Sequence, residues 1–297
     1  MGDHYLRGTI LKGIGGFYYA RAEDGEIYTL RAQGKIRRER MKPMVGDEVE
    51  MTPGEGEDDG WILSIDTRKN ALVRPPVANI DAILIVMAAA APDPDLAMID
   101  RLILNARLAD IEPRLAINKT DLDPEGTKGL LTQYARAGVY PVAVCARTGE
   151  GVAELRSSLA GKKHALAGQS GAGKSSLINA MYGFKLETGA ISQKIERGKN
   201  TTRHCELIPV PGGGMVLDTP GFSLLETPLV EPETIKEHYP EFAEYEGQCF
   251  FQPCMHASEP KCAALQAVKD GAIDARRHAR YVELLGEMKI RWRDRYD

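Results

Sequence analysis

The stretch Gly168-Gln169-Ser170-Gly171-Ala172-Gly173-Lys174-Ser175 carries the spacing G-x-x-x-x-G-K-[ST], and it narrows what this chain can fold into more than any other feature. Ala165-Leu166-Ala167 before it reads as the end of a strand, and Ser175 to Met181 behind it as a helix. A strand, a glycine loop and a helix in that order form the setting of a phosphate-binding loop. The glycines permit backbone angles that a β-carbon blocks, so successive N–H groups converge on phosphate oxygens at a helix N-terminus. Lys174 then neutralises the β- and γ-phosphates, and Ser175 supplies an oxygen to Mg²⁺. A plain glycine turn before a helix is the competing reading, and the exact spacing argues against it.

A phosphate loop alone does not choose its nucleotide. The apolar run from Arg114 to Ile117 leads straight into Asn118-Lys119-Thr120-Asp121. At a strand end, N-K-x-D has a specific use: the Asp carboxylate accepts from guanine N1–H and N2–H₂, which adenine cannot offer. One βα unit later comes Cys145-Ala146-Arg147, where a small-residue loop can turn a backbone N–H toward guanine O6; a bland turn fits as well. Downstream, Thr201-Thr202 can give Mg²⁺ a further oxygen and sense the γ-phosphate, on a long connection expected to respond to nucleotide. Asp218-Thr219-Pro220-Gly221 follows a short strand, so Asp218 is expected to hold Mg²⁺ through water and the Gly221 N–H to meet the γ-phosphate.

The flanks differ from this centre. Residues 4 to 70 read as five short strands, Leu6–Ile14, Phe17–Arg21, Ile27–Arg31, Glu48–Thr52 and Trp61–Ile65, broken by glycine and acidic turns. That many strands in so short a segment suggest a small closed barrel, most commonly an OB-fold. The formal net charge is -4 but it is segregated, with Arg31, Lys35, Arg37, Arg38, Arg40 and Lys42 crowded between the third and fourth strands. That loop is either a solvated surface or a contact to RNA phosphates. Leu72-Val73-Arg74-Pro75-Pro76 marks a linker. After Glu226 the pattern Cys249-x₄-Cys254-x-His256-x₅-Cys262 offers three thiols and one imidazole. They match a closed Cys₃His zinc site, with buried free thiols as the alternative. Gln266 to Ile290 reads as one helix whose arginines, Arg276, Arg277 and Arg280 among them, form a solvated face in preference to an RNA contact. The most apolar run, Ala82 to Ala91, is half what a bilayer needs, and neither a secretory leader nor a disulfide framework is indicated.

The base reader precedes the phosphate loop, whereas the Ras-like order is the reverse. The motifs are complete but cyclically permuted. Together with the barrel, the R-P-P linker and the cysteine cluster, this set closely resembles the RsgA/YjeQ family of circularly permuted, ribosome-small-subunit-dependent GTPases, over nearly the whole chain. The resemblance implies an OB-fold RNA-binding barrel at 1–70, a permuted α/β GTPase domain at 71–226 and a mainly helical zinc domain at 227–297. It also implies GTP/GDP, Mg²⁺ and one structural Zn²⁺, and a cytoplasmic, monomeric protein that leaves membranes alone and acts on the small (30S) ribosomal subunit and its 16S rRNA. By position, nucleotide contacts fall on Asn118, Lys119, Thr120, Asp121, Cys145, Ala146 and Gly168 to Ser176. Zinc falls on Cys249, Cys254, His256 and Cys262. The family commonly has a His before the Thr pair, and here Asn200 stands there; amide chemistry can orient water but not exchange protons near neutrality. Phe222 follows Gly221 where Ras-like chains carry a water-orienting Gln. Slow intrinsic turnover, accelerated by a partner, is expected. An RNA-binding factor that holds GTP without hydrolysing it is the rival reading, and an ATP-using P-loop enzyme is opposed by N-K-T-D.

Overall fold

The computed structural model describes residues 5–34, 36, 41–54, 58–72, 75–185, 205–218 and 227–296. The expectations for Asn200, Thr201, Thr202 and Gly221, and for most of the basic loop, lie outside the described residues.

Five strands form the barrel: β1 (Leu6–Ile14), β2 (Phe17–Ala22), β3 (Ile27–Ala32), β4 (Glu48–Thr52) and β5 (Gly60–Ile65). β1 pairs with both β2 and β4, and β3 runs parallel to β5, so the sheet closes on itself as β1-β2-β3-β5-β4. Alternation along each strand sends Ile10, Ala20, Leu30, Val49, Met51 and Ile62 inward, which is the period of two that made these strands readable. After the barrel, β6 (Ala71–Leu72) pairs with β7 (Val77–Ala78), and the buried Asn70 side chain binds the Ile80 N–H at 3.0 Å and its carbonyl at 2.9 Å.

The central sheet is built from β8 (Ala82–Ala88), β9 (Glu112–Asn118), β10 (Pro141–Ala143), β11 (Lys163–Ala167), β12 (Glu206–Pro209) and β13 (Met215–Asp218), in the order β10-β9-β8-β11-β13-β12. The first five are parallel and β12 is antiparallel. Both faces are covered: α1 (Leu96–Leu108) and α2 (Pro124–Tyr134) pack on one, α3 (Val152–Ser158) and α4 (Lys174–Tyr182) on the other. All residues of β8 are buried, as a strand covered on two sides requires. At its edge, β12 pairs with β1 at Glu206 and Lys12, fusing barrel and central sheet.

The C-terminal region has two 3₁₀ turns, Pro232–His238 and Pro240–Tyr245, then α5 (Ala263–Lys269) and α6 (Ala275–Arg293). The single helix expected over 266–290 is thus two. Gly271 turns at φ +75°, and the Asp274 side chain caps a fresh start by accepting from the Arg276 and Arg277 N–H groups. The arginine stripe is also not simply solvated. Arg277 is buried, binding Glu241 at 2.5 Å and Asp100 of α1, while Arg280 reaches the same Asp100 at 2.5 Å. The two pairs to Asp100, with Arg101–Glu287 at 2.7 Å, hold α6 against α1, and the Glu241 pair ties it to the second 3₁₀ turn. Among the described residues no helix is long and apolar enough to cross a membrane.

Candidate nucleotide site and cysteine cluster

The parallel strands of the central sheet end at one edge, the usual place for a ligand in an α/β sheet. β11 delivers Gly168 at φ +130°, and Gly173 at φ +92° opens α4. A β-carbon at Gly168 would run into the Val86 carbonyl, and one at Gly173 into the Asn118 amide, so these two positions need glycine for contact as well as for angle. No side chain caps α4, which leaves its first N–H groups without an intrahelical or side-chain partner. Lys174 folds back, donating to the Gly168 carbonyl at 2.7 Å and the Gln169 carbonyl at 2.8 Å. Burial lowers its pKa. Ser175 is buried beside it.

Asn118, at the end of β9, is almost fully buried and ties loops together. Its Nδ2 donates to the Ala172 carbonyl at 2.9 Å, and its Oδ1 accepts from the Ala146 N–H at 3.1 Å. The base-reading and phosphate motifs, far apart in the chain, therefore meet at one side chain. Lys119, at φ +62°, sends its ammonium to the Ala91 carbonyl, bridging to the loop after β8. Asp121 receives the Cys145 thiol at 3.1 Å on one oxygen and Arg147 at 2.7 Å on the other. The thiol first, and the guanidinium with it, hold the Asp121 carboxyl below the usual aspartate range. The loop that carries them is closed by Cys145 N–H to the Glu150 carbonyl at 2.9 Å and Gly149 N–H to the Cys145 carbonyl at 2.8 Å. Thr120 continues the Asn118–Asp121 turn, and Ser170, Gly171 and Ser176 lie in the loop and the first turn of α4.

Two contacts had no sequence signal. The Arg147 side chain was readable only as the third member of a small-residue loop. Gln169 accepts from the Asp95 N–H at 3.2 Å, and Asp95 caps α1 by accepting from Met98 N–H at 3.0 Å, which joins the phosphate loop to α1.

Asp218 is the last residue of β13, next to β11 in the sheet, so it flanks the phosphate loop. Burial and the facing Glu206 both push its carboxyl above the usual range, since each disfavours the ionised form.

In the C-terminal region Cys249, Cys254, His256 and Cys262 converge, all buried, with their ligand atoms within 4.8 Å of one another. Cys249 and Cys262 sulfurs are 3.7 Å apart, and His256 Nδ1 lies 3.6 Å and 3.4 Å from them. A tetrahedron of Zn–S bonds of about 2.3 Å has S···S edges of roughly 3.8 Å, so the donor set fits zinc. The ring's other nitrogen, Nε2, meets Glu246 at 2.7 Å, a partner that fixes which nitrogen faces the cluster. Backbone N–H groups of Ala263 and Leu265 point at the Cys249 and Cys262 sulfurs, at 3.4 Å and 3.5 Å. Burial pushes the Cys254 thiol up to about 12, so thiolates at this spot call for a cation.

Comparison with known proteins gives one consistent answer. The model of the RsgA GTPase family matches residues 65–228, and that of the RsgA N-terminal domain residues 7–62. The chain is 43% identical over 295 residues to the small ribosomal subunit biogenesis GTPase RsgA of Caldanaerobacter subterraneus, covering 98% of each chain. It is 42% identical over 289 residues to the protein of the same name from Geobacillus thermodenitrificans, covering 96% of this chain and 98% of that one. The crystal structure of YjeQ from Thermotoga maritima superposes with a TM-score of 0.83 at 35% identity, over 96% of this chain and 99% of that one. YloQ, a circularly permuted GTPase, gives a TM-score of 0.82 at 34% identity, over 97% of this chain and 96% of that one.

Proposed function

Because the chain belongs to the RsgA GTPase family, we propose that it is a GTP hydrolase that works as a switch in late maturation of the small ribosomal subunit. The GTP form binds the subunit, and hydrolysis stimulated by the subunit releases it. The observation that carries this reading is Asn118, whose one amide binds both the phosphate loop at Ala172 and the guanine-side loop at Ala146. A pocket so joined takes a nucleotide with a base at one end and phosphates at the other.

Asp121 reads the guanine edge, with Asn118, Lys119, Thr120 and the Cys145–Ala146 loop shaping its seat. The amides from Gly168 to Ser176 surround the phosphates, and Lys174 leaves its loop carbonyls to meet the β- and γ-oxygens. Ser175 and Asp218 hold Mg²⁺, which when bound neutralises charge on those oxygens. Asn200, Thr201, Thr202 and Gly221 are assigned from sequence to the attacking water and the γ-phosphate. Most of the rate comes from positioning and fixed dipoles. With Asn200 and Phe222 in place of better water-orienting groups, the chain alone is slow.

The Cys₃His cluster holds one structural Zn²⁺. The barrel and the C-terminal region supply the contacts to 16S rRNA, and the protein is a cytoplasmic monomer. GTP hydrolysis by the purified protein, with and without purified small subunits and at several salt concentrations, tests the reading. Stimulation of about tenfold or more that declines with salt supports a subunit-gated GTPase using basic contacts. Tight GTP binding with no stimulation favours instead an assembly factor that binds GTP and scarcely hydrolyses it.

A further inference from the structure

The seam between the barrel and the central sheet runs through the carboxylate assigned to Mg²⁺. Lys12 of β1 stands opposite Glu206 of β12, and Glu206 stands opposite Asp218 of β13. Residues directly opposite on neighbouring strands share a face, with β-carbons about 4.5–5.5 Å apart. Lys12, Glu206 and Asp218 therefore form one row across three strands. Lys12 Nζ lies 3.0 Å from Glu206 Oε2.

Two facing carboxylates are an unfavourable cross-strand pair, and a fold keeps one when cations flank it. Here the row has a cation at its barrel end, Lys12, and at its other end Asp218, the carboxylate assigned to Mg²⁺. Glu206 is partly exposed and Lys12 less so, so their attraction is moderate and sensitive to displacement.

We propose that Glu206 is a positioning residue for the Mg²⁺ held at Asp218, and that Lys12 of the barrel sets how strongly it acts. This rests on the reading of Asp218 given above and adds a regulator to it. The Glu206 charge deepens the negative field at Asp218 and favours a divalent cation there; Lys12 offsets that charge. A barrel shifted so that Lys12 leaves Glu206 tightens the metal, and a barrel pressed onto the seam loosens it. Whatever the barrel binds is thereby felt at the metal end of the nucleotide site through one ion pair.

The test uses the full chain loaded with a fluorescent methylanthraniloyl-GDP. Its release into excess GDP is followed across micromolar to millimolar free Mg²⁺. Lys12→Met is expected to lower the half-saturating Mg²⁺ by about threefold, and Glu206→Gln to raise it by about the same factor. The double variant should behave as Glu206→Gln alone, since Lys12 acts only through Glu206, and Lys12→Arg should match the parent. A pair that merely clamps the barrel predicts otherwise: both variants lower the melting temperature and neither moves the Mg²⁺ midpoint, or both move it the same way. Either result overturns the inference, provided Asp218→Asn abolishes the Mg²⁺ dependence. If Asp218→Asn leaves that dependence intact, the assignment of Asp218 fails and the inference with it. Should Lys12→Met not fold, an unmoved midpoint in Glu206→Gln is enough to reject the proposal.

Discussion

The cysteine cluster and the nucleotide pocket are two binding sites made in opposite ways. All four cluster ligands come from one short stretch, Cys249 to Cys262, and are buried with their own hydrogen-bonded support. The pocket instead borrows from the ends of β8, β9, β10, β11 and β13, and its parts meet through single side chains such as Asn118 and Lys119. A closed site of the first kind needs its cation to exist at all, because buried thiolates repel. An open site of the second kind exists before its ligand and can exchange it. On the function proposed above, the first site takes a permanent ligand that builds structure and the second a transient ligand that reports state.

Removing zinc should have the largest effect. Structural zinc contributes about 10 kcal/mol or more of apparent binding energy in small sites, so strong chelation or Cys254→Ser is expected to unfold the region around Cys249–Cys262. Thermal denaturation should then show an early transition, and thiol titration should find the cluster cysteines reactive. GDP affinity should fall by only about threefold, through the loosened Arg277–Asp100 joint. A collapse of GDP binding in step with zinc loss would break the comparison, since the pocket would then not stand by itself.

Lys174→Ala comes next. GDP and GTP affinities should fall about a hundredfold or more, because a charge-assisted contact to phosphate is lost from a desolvated site. Stability of the empty protein should be unchanged or slightly higher. Burial lowers the Lys174 pKa, so in the empty protein the desolvation of its amine works against the two loop-carbonyl hydrogen bonds it makes. A marked drop in melting temperature without nucleotide would mean the lysine holds its own loop together. Asp121→Asn acts at the other end of the pocket, where it should cost GTP about a hundredfold and gain xanthosine triphosphate correspondingly. Competition binding with both nucleotides checks this.

The contrast between the sites also explains what could be read in the chain. G-x-x-x-x-G-K-S and N-K-T-D were legible because backbone geometry and base chemistry leave few substitutes at Gly168, Gly173, Lys174 and Asp121. The barrel strands were legible from alternation, which Leu30 and Ile62 obey. Arg277 was not legible: its partners Asp100 and Glu241 lie far away in sequence, and a helix-spaced arginine run looks the same whether solvated or buried. The break between α5 and α6 was hidden because apolar spacing continues across Gly271 to Ile273 and Tyr281. The row Lys12–Glu206–Asp218 depends on which strand pairs with which, and register across the seam is not encoded in any local pattern.

The smallest expected effect sharpens the idea that the base end is wired in advance. Cys145 donates a weak thiol hydrogen bond to Asp121, and Arg147, largely exposed, supplies the second contact. Cys145→Ala should reduce GDP affinity by about two- to threefold, the scale of one modest hydrogen bond, while Cys145→Ser, a better donor of similar size, should restore it. The acid dependence gives the clearer sign. Asp121 lies below the ordinary aspartate range, first because of the Cys145 thiol and then because of Arg147. Its favourable contacts are therefore complete above the unfolded aspartate pKa and are lost as pH falls through the lowered folded value. Guanine reading needs the ionised carboxylate, so in the parent GDP affinity should hold steady as pH drops through the ordinary aspartate range. In Cys145→Ala the acid limb should move to higher pH, because the largest depressing contact has gone. Titration of GDP affinity against pH for the three proteins decides the matter. An unmoved limb in the alanine variant would assign the depression to the backbone hydrogen bond and Arg147, and the thiol would then be packing against Asp121 without orienting it.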